Sequence, residues 1–598
     1  MDDQVTSKLS SLEARVERLT VQVEELSGRV DGLAGKAGSA RASPDALPVA
    51  DDAFPDAAET LLSWIRRSSL LQRLSTLCFL LVIALVLRTI TDNGMIDRRI
   101  GTVIGMSYAT ALIGMGWLRY GRANPLAPVF TVCGTVLMFT IIGEAHARFG
   151  ALPSVPAYIL LMLTALGTAG ISYVHRVPAP VVVGNLGMCI TGAAIDYPAP
   201  FFPYPGILLL TANLLGYATA RAHRYSWPRW ILLLTTLFMI HLWGFKLGMT
   251  LLGNEHPPQA LAPDLFLPFL ALFSITYMAI AFLGIIRVPP AKISRFDLVL
   301  PTINVAWAFS LARYVLSAME SGVTILGIVG VVVGAGHLAA AYRLASRDPQ
   351  GAAGANAFLL AGAVLLALAL PAATHSPALS LPILAAIALG ATALSVTWQS
   401  GSVRLTSYLL QLYVAATLSV SLLEKGAVPS VWVRALSAGA IAGLGFIQYW
   451  WCRRRQPPEE STFFRRIDTR DFSAVFILLA SLLCAFFALR VVLHHILSLT
   501  LTPSELNNVF YGSQSVVINL SAILVMLIAW AYRNTELRNT AILITIVGAI
   551  NVFLYDLIRT QGMPLVISVS SVGLATAVES IILGRWQQRT NPVGEEGG

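Results

Sequence analysis

The chain reads as an all-α protein, a polytopic membrane helix bundle of about eighteen transmembrane helices preceded by a coiled-coil helix. Three observations predict this. Apolar residues make up 56% of its 598 residues against 12% charged, and the mean hydropathy is +0.69, far too oily for a soluble chain of several domains. Apolar runs of about 20 residues, each long enough to cross the hydrocarbon core as a helix with its backbone hydrogen bonds satisfied internally, recur from residue 74 onward. Basic residues then concentrate in every other connection between those runs.

Residues 1–33 carry a heptad. Leu9, Val16, Val23 and Val30 fall at a, and Val5, Leu12, Leu19, Leu26 and Leu33 at d. Valine at a with leucine at d favours a parallel two-stranded coil, so this helix is expected to form a homo-oligomer, with Lys8 at g facing Glu13 at the next e. The alternative is an amphipathic helix lying on the protein's own loops or on the membrane, and Gly28 and Gly32 weaken the last heptad. Residues 34–58 are rich in Ala, Gly, Ser, Pro and Asp without helical period and read as a flexible tether. Residues 59–73 place Leu61, Leu62, Trp64 and Ile65 beside Arg66 and Arg67, the pattern of an interfacial helix.

The transmembrane domain is expected over 74–584. Its first nine spans are 74–90, 100–118, 127–147, 156–174, 179–195, 203–220, 229–251, 263–286 and 297–317. The remainder are 322–342, 355–373, 377–398, 403–423, 430–451, 473–499, 511–532, 538–559 and 564–584, before a tail at 585–598. The first run is expected to act as an uncleaved anchor, since hydrophilic residues precede it.

Arg119 and Arg122, Arg176, Arg221 and Arg224, Arg287, Arg343, Arg404, the block from Arg453 to Arg470, Arg533, and Arg585 share one side of this topology. The positive-inside rule makes that side cytoplasmic, with both termini and the coiled coil. Asp97, Arg98, Arg99, Lys425 and Arg434 are exceptions on the outer side. The net charge of +9 is therefore a topology signal, not a nucleic-acid footprint. The longest cytoplasmic loop contains RRRQPPEESTFFRRIDTRD and reads as a solvated topology determinant that meets anionic headgroups. Outer connections are short and proline-rich, and many of their prolines are expected to start the returning helices. Cys78, Cys133, Cys189, Cys452 and Cys484 stand singly, without CxxC spacing, so neither a metal site, a cofactor nor a disulfide framework is expected.

Three stretches carry a resemblance: LVIALVLRTITDNGMIDRRIG at 81–101, FTVCGTVLMFTIIGEAHARFGALPSVPAYILLMLTALGTAG at 130–170, and the run at 537–584 that contains VFLYDL. Together they resemble an uncharacterised bacterial family of multi-spanning membrane proteins with an amino-terminal coiled coil and a VFLxDL-type run near the carboxy terminus. The resemblance implies a bacterial inner-membrane location and this architecture but no reaction. The chain departs from that pattern at Asn551, where the family has lysine, and at 187–194, where GMCITGAA stands in place of a GGFxTP turn.

Ionisable residues inside spans are costly, roughly 2.5–3.5 kcal/mol each on insertion scales, and mark bundle interiors or aqueous paths. The candidates are Arg88 and Asp92; Glu144, His146 and Arg148; His241 and Lys246; Arg313; Arg490 and His494; and Asp556 and Arg559. All lie towards the ends of outward-running spans, so they are expected to collect in one outward-facing polar cavity. Helical spacing puts Arg88 with Asp92, Glu144 with Arg148, Arg490 with His494, and Asp556 with Arg559 on shared faces. The preferred expectation is transport or flipping of an anionic or lipid-linked envelope substrate, with the arginines and lysine attracting phosphate or carboxylate and the acids relaying protons. Two alternatives stand beside it. One is an integral-membrane transferase using Glu144 or Asp556 as general base, although no HExxH or nucleophile elbow is present. The other is a non-catalytic scaffold gathered by the coiled coil.

Overall fold

A chain this apolar can satisfy its backbone hydrogen bonds without water as helices or as a closed barrel, and the described chain takes the first route: every long element is an α-helix, and no strand occurs among the described residues. The computed structural model describes residues 70–93, 95–124, 126–196, 201–223, 227–253, 255–287, 293–347, 353–423, 430–458 and 461–590. The chain divides into units 1–61 and 62–598, and everything below concerns the second. The coiled coil at 1–33, the tether at 34–58 and most of the interfacial segment at 59–73 lie outside the described residues.

The first half comprises α1 Leu70–Asp92, α2 Arg98–Gly121, α3 Ala127–Ala147, α4 Ser154–His175, α5 Ala179–Asp196, α6 Pro203–His223, α7 Trp227–Leu252, α8 Pro263–Ile286 and α9 Arg295–Val315. It continues with α10 Glu320–Arg347, α11 Ala353–Thr374, α12 Pro377–Thr397, α13 Gly401–Leu423, α14 Val431–Arg454 and the short α15 Thr462–Arg466. The last are α16 Ser473–Thr500, α17 Pro503–Tyr532, α18 Thr535–Asn551 and α19 Met563–Thr590. Sixteen helices among the described residues are long and apolar enough to cross a membrane. The long helices α1 and α6 stand beside those sixteen, at positions where the hydropathy pattern also predicts spans.

Boundaries moved where polar residues are good helix formers. Helix α1 starts at Leu70 rather than 74, and α19 runs to Thr590, past the expected start of the tail, through Gln587, Gln588 and Arg589. Prolines open α6, α8, α12 and α17, where a missing N–H costs nothing. Helix α18 runs on through a π-helical turn at Val552–Asp556 before ending at Arg559.

Packing is close where side chains are small. The backbone of α2 at Ala109 and Ile113 abuts Gly134 of α3 so tightly that a Cβ there would meet it at 2.9 Å. One apolar cluster joins α1 to α9, from Leu80 through Phe139 and Tyr158 to Val315. A second links α11 to α14 with α16, and a third ties α17, α18 and α19 through Met526, Ala541 and Ile582. The opposite faces carry exposed Leu163, Ile275, Val332, Leu436 and Leu574, so apolar surface points outward as well as inward. A water-soluble bundle of this size does not display such faces on nearly every helix.

Candidate functional site

Arg88 and Glu144, drawn from different helices, form the most informative pair. Arg88 sits near the end of α1 and Glu144 near the end of α3, and Arg88 Nη2 lies 2.6 Å from Glu144 Oε1. The two side chains are 41% and 24% exposed, respectively, so the pair is partly wet. It closes one end of a cavity of about 230 Å³ between α1, α2 and α3. Leu81, Leu85, Val136 and Ile141 supply apolar lining, and Thr91, Thr102, Tyr108 and Thr140 supply polar lining.

The polar lining has a definite hydrogen-bond character. Thr102 Oγ1 donates to Arg98 O, Thr140 Oγ1 to Val136 O, and Tyr108 Oη to Leu80 O. Their protons are spent on backbone carbonyls, and their lone pairs are left to accept. Arg88 is accordingly the cationic donor of the lining, and Glu144 with the hydroxyl lone pairs the acceptors. Gly101 allows α2 to approach α1 here, because a Cβ at that position would run into the Thr91 side chain.

The other candidates occupy separate places. His146 Nδ1 lies 2.9 Å from Leu152 O, tying the turn after α3, which Gly150 negotiates at φ +59°. The Arg148 guanidinium lies 5.8 Å from the Phe149 ring centre, and Lys246 Nζ 5.7 Å from that of Trp243. His241 and Arg313 are exposed. Arg490 and His494 both address Phe510 of α17, the first with its guanidinium over the ring and the second edge-on at 4.8 Å. The Asp92 side chain lies outside the described residues.

Asp556 is buried, and Ser515 Oγ and Ser568 Oγ each donate to its Oδ2 at 2.5 Å. Asn551 Nδ2 in turn donates to Ser515 Oγ. Arg559 turns away and lies over Tyr511 and Tyr555. The expected i, i+3 pair is not what forms, because the π-helical turn ending at Asp556 rotates it relative to a regular helix. Likewise Glu144 pairs with Arg88 across helices, where spacing along one helix had suggested Arg148. Of the candidates, Arg88 and Glu144 line this cavity.

Sequence reasoning missed the most buried ion pair among the described residues. Arg404, assigned to a topology loop, has no exposed side-chain surface, and its Nη2 donates to Asp471 Oδ2 at 2.5 Å. It also donates to Tyr408 Oη, Cys452 O and Arg455 O, and Tyr408 Oη donates to Asp471. Burial pushes the Asp471 carboxyl above its usual range, while Arg404 and Tyr408 pull it back. Arg229 is similar, its Nη1 bonding Asp297 Oδ1 at 2.9 Å. The available signal was an acid close to arginine at a helix start, Asp471 beside Arg470 and Asp297 two residues after Arg295.

No protein-family model matches the chain, and neither curated proteins nor solved structures match it. Among the described residues, no group of three His, Cys, Asp or Glu side chains comes together as metal ligands.

Proposed function

We propose that this chain is a multi-pass protein of a bacterial inner membrane, with both termini cytoplasmic, and that it binds and moves a lipid-linked sugar phosphate at the Arg88–Glu144 cavity. The observation that carries this reading is the mixed lining of the cavity, apolar side chains and hydroxyls together with a partly wet ion pair. Support for the membrane comes from sixteen helices of spanning length, from their outward apolar faces, and from arginines gathered in alternate connections. The resemblance to the bacterial multi-spanning family agrees with that location.

The chemistry follows from the donors and acceptors. A phosphate takes Arg88 from Glu144, since a phosphate oxygen accepts from the guanidinium at least as well as a carboxylate does. Glu144, released, accepts from sugar hydroxyls or takes up a proton, and the threonine lone pairs accept beside it. The lipid chain lies on Leu81, Leu85, Val136 and Ile141. Exchange of partner by Arg88 couples binding of the anion to the charge on Glu144, which is the minimum a carrier needs in order to release its cargo on changing conformation.

The test is lipid and glycan profiling of a deletion strain complemented with variants. Wild type restores the envelope-lipid profile, whereas R88A and E144A leave a lipid-linked intermediate in excess while the protein accumulates normally. Full restoration by both variants overturns the assignment.

A further inference from the structure

A larger cavity of about 740 Å³ lies at the other end of the sequence pattern, in the loop between α14 and α16. Its floor is built. Arg404, wholly buried in α13, holds the carbonyls of Cys452 and Arg455 at the end of α14 and the carboxylate of Asp471 just before α16. That one guanidinium fixes the two ends of the loop in place.

Four arginines line the chamber above it: Arg453, Arg455, Arg465 and Arg470. Arg453 is committed in part, with its Nε 2.7 Å from Glu536 Oε2 and its Nη1 donating to Arg470 O. Its Nη2 is buried and finds no acceptor among the described residues. Arg455 stacks its guanidinium 5.0 Å from the Trp451 ring centre. Arg455, Arg465 and Arg470 are exposed, and no carboxylate among the described residues pairs with them. A solvated topology signal needs neither a chamber nor a buried guanidinium donor left without an acceptor. Trp450, Ile467 and Phe472 stand exposed around the same loop, and Arg454 lies 3.7 Å over the Trp450 ring, the mix of apolar, aromatic and basic groups that suits a headgroup layer.

We infer that this chamber is a phosphate-binding site, taking a multiply charged phosphate group carried either by an anionic lipid headgroup or by a small soluble phosphate. Planar guanidinium forks lining one space can meet tetrahedral oxygens from more than one side. A basic pocket between helices on the cytoplasmic side has the physical character of an anionic-headgroup site. The inference is independent of the Arg88–Glu144 reading, since no residue is shared between the two cavities.

The test uses the full chain in phosphatidylcholine nanodiscs. In one arm cardiolipin is added and lipid retention is read by native mass spectrometry; in the other, inorganic pyrophosphate is titrated and the thermal midpoint is followed. Retention of cardiolipin over phosphatidylcholine identifies the lipid source, a pyrophosphate-dependent rise in midpoint identifies the soluble one, and either supports the site. In the supporting case R465A/R470A weakens binding by at least about tenfold at an unchanged unliganded midpoint, the loss expected from removing charge-assisted hydrogen bonds. Should that variant fail to fold, the wild-type signal must instead disappear in high salt while the midpoint holds. Binding of neither probe by wild type, equal binding by the variant, or indifference to salt overturns the proposal.

Discussion

Two arginine–carboxylate pairs in this molecule look alike on paper and differ in almost every physical respect. Arg404 and Asp471 are 0% and 3% exposed, Arg88 and Glu144 41% and 24%. Around the first, Tyr408 and the carbonyls of Cys452 and Arg455 use up the remaining hydrogen-bonding capacity. Around the second there is a cavity, and the neighbouring hydroxyls have spent their protons on backbone carbonyls. A desolvated pair held by hydrogen bonds on both sides is a rivet, here the floor of the loop chamber. A partly wet pair facing a cavity can exchange one partner for another.

The sharpest way to break the comparison is to delete one member of the rivet. D471A leaves Arg404 buried and uncompensated and is expected to cost about 3–5 kcal/mol, seen as a large drop in thermal midpoint in detergent or as loss of folded protein. R404M/D471L removes both charges together and should recover much of that loss, because the desolvation penalty goes with them; a double variant as unstable as D471A would show that shape, not charge, dominates there. Next in size is Y408F, which strips one donor from Asp471 and one acceptor from Arg404 and should cost about 1–3 kcal/mol. Smallest in stability is E144Q, which should move the midpoint by an amount equivalent to no more than about 1 kcal/mol, since solvent screens a pair that is partly exposed. Its effect should fall on function instead. An E144Q protein as unstable as D471A would erase the distinction.

The hydropathy pattern made the long helices legible, and the prolines that open α6, α8, α12 and α17 marked several of their starts. Pair partners were far less legible. Spacing along a helix shows which residues share a face, but Glu144 chose Arg88 from another helix, a choice made by how α1 and α3 pack against α2. Asp556 was read as an acid within a span, paired with Arg559, yet its hydroxyl partners Ser515 and Ser568 come from α17 and α19, and the π-helical turn that orients it leaves no mark in the VFLYD stretch. Arg404 escaped notice because a charge at the edge of a span reads equally as a loop cation or as a buried anchor. Only the tertiary position of Asp471 separates the two.

The central claim is that Arg88 and Glu144 act on a substrate and do not merely hold two helices together. Charge reversal measures this directly, by complementing the deletion strain with R88E/E144R and reading its lipid-linked intermediates. The swapped pair keeps an ion bridge, so the account predicts a normally accumulated, normally stable protein that leaves the envelope-lipid profile uncorrected, because an acid now stands where the phosphate must bind. Restoration of the wild-type profile by the swap would contradict the account and assign the pair to packing alone.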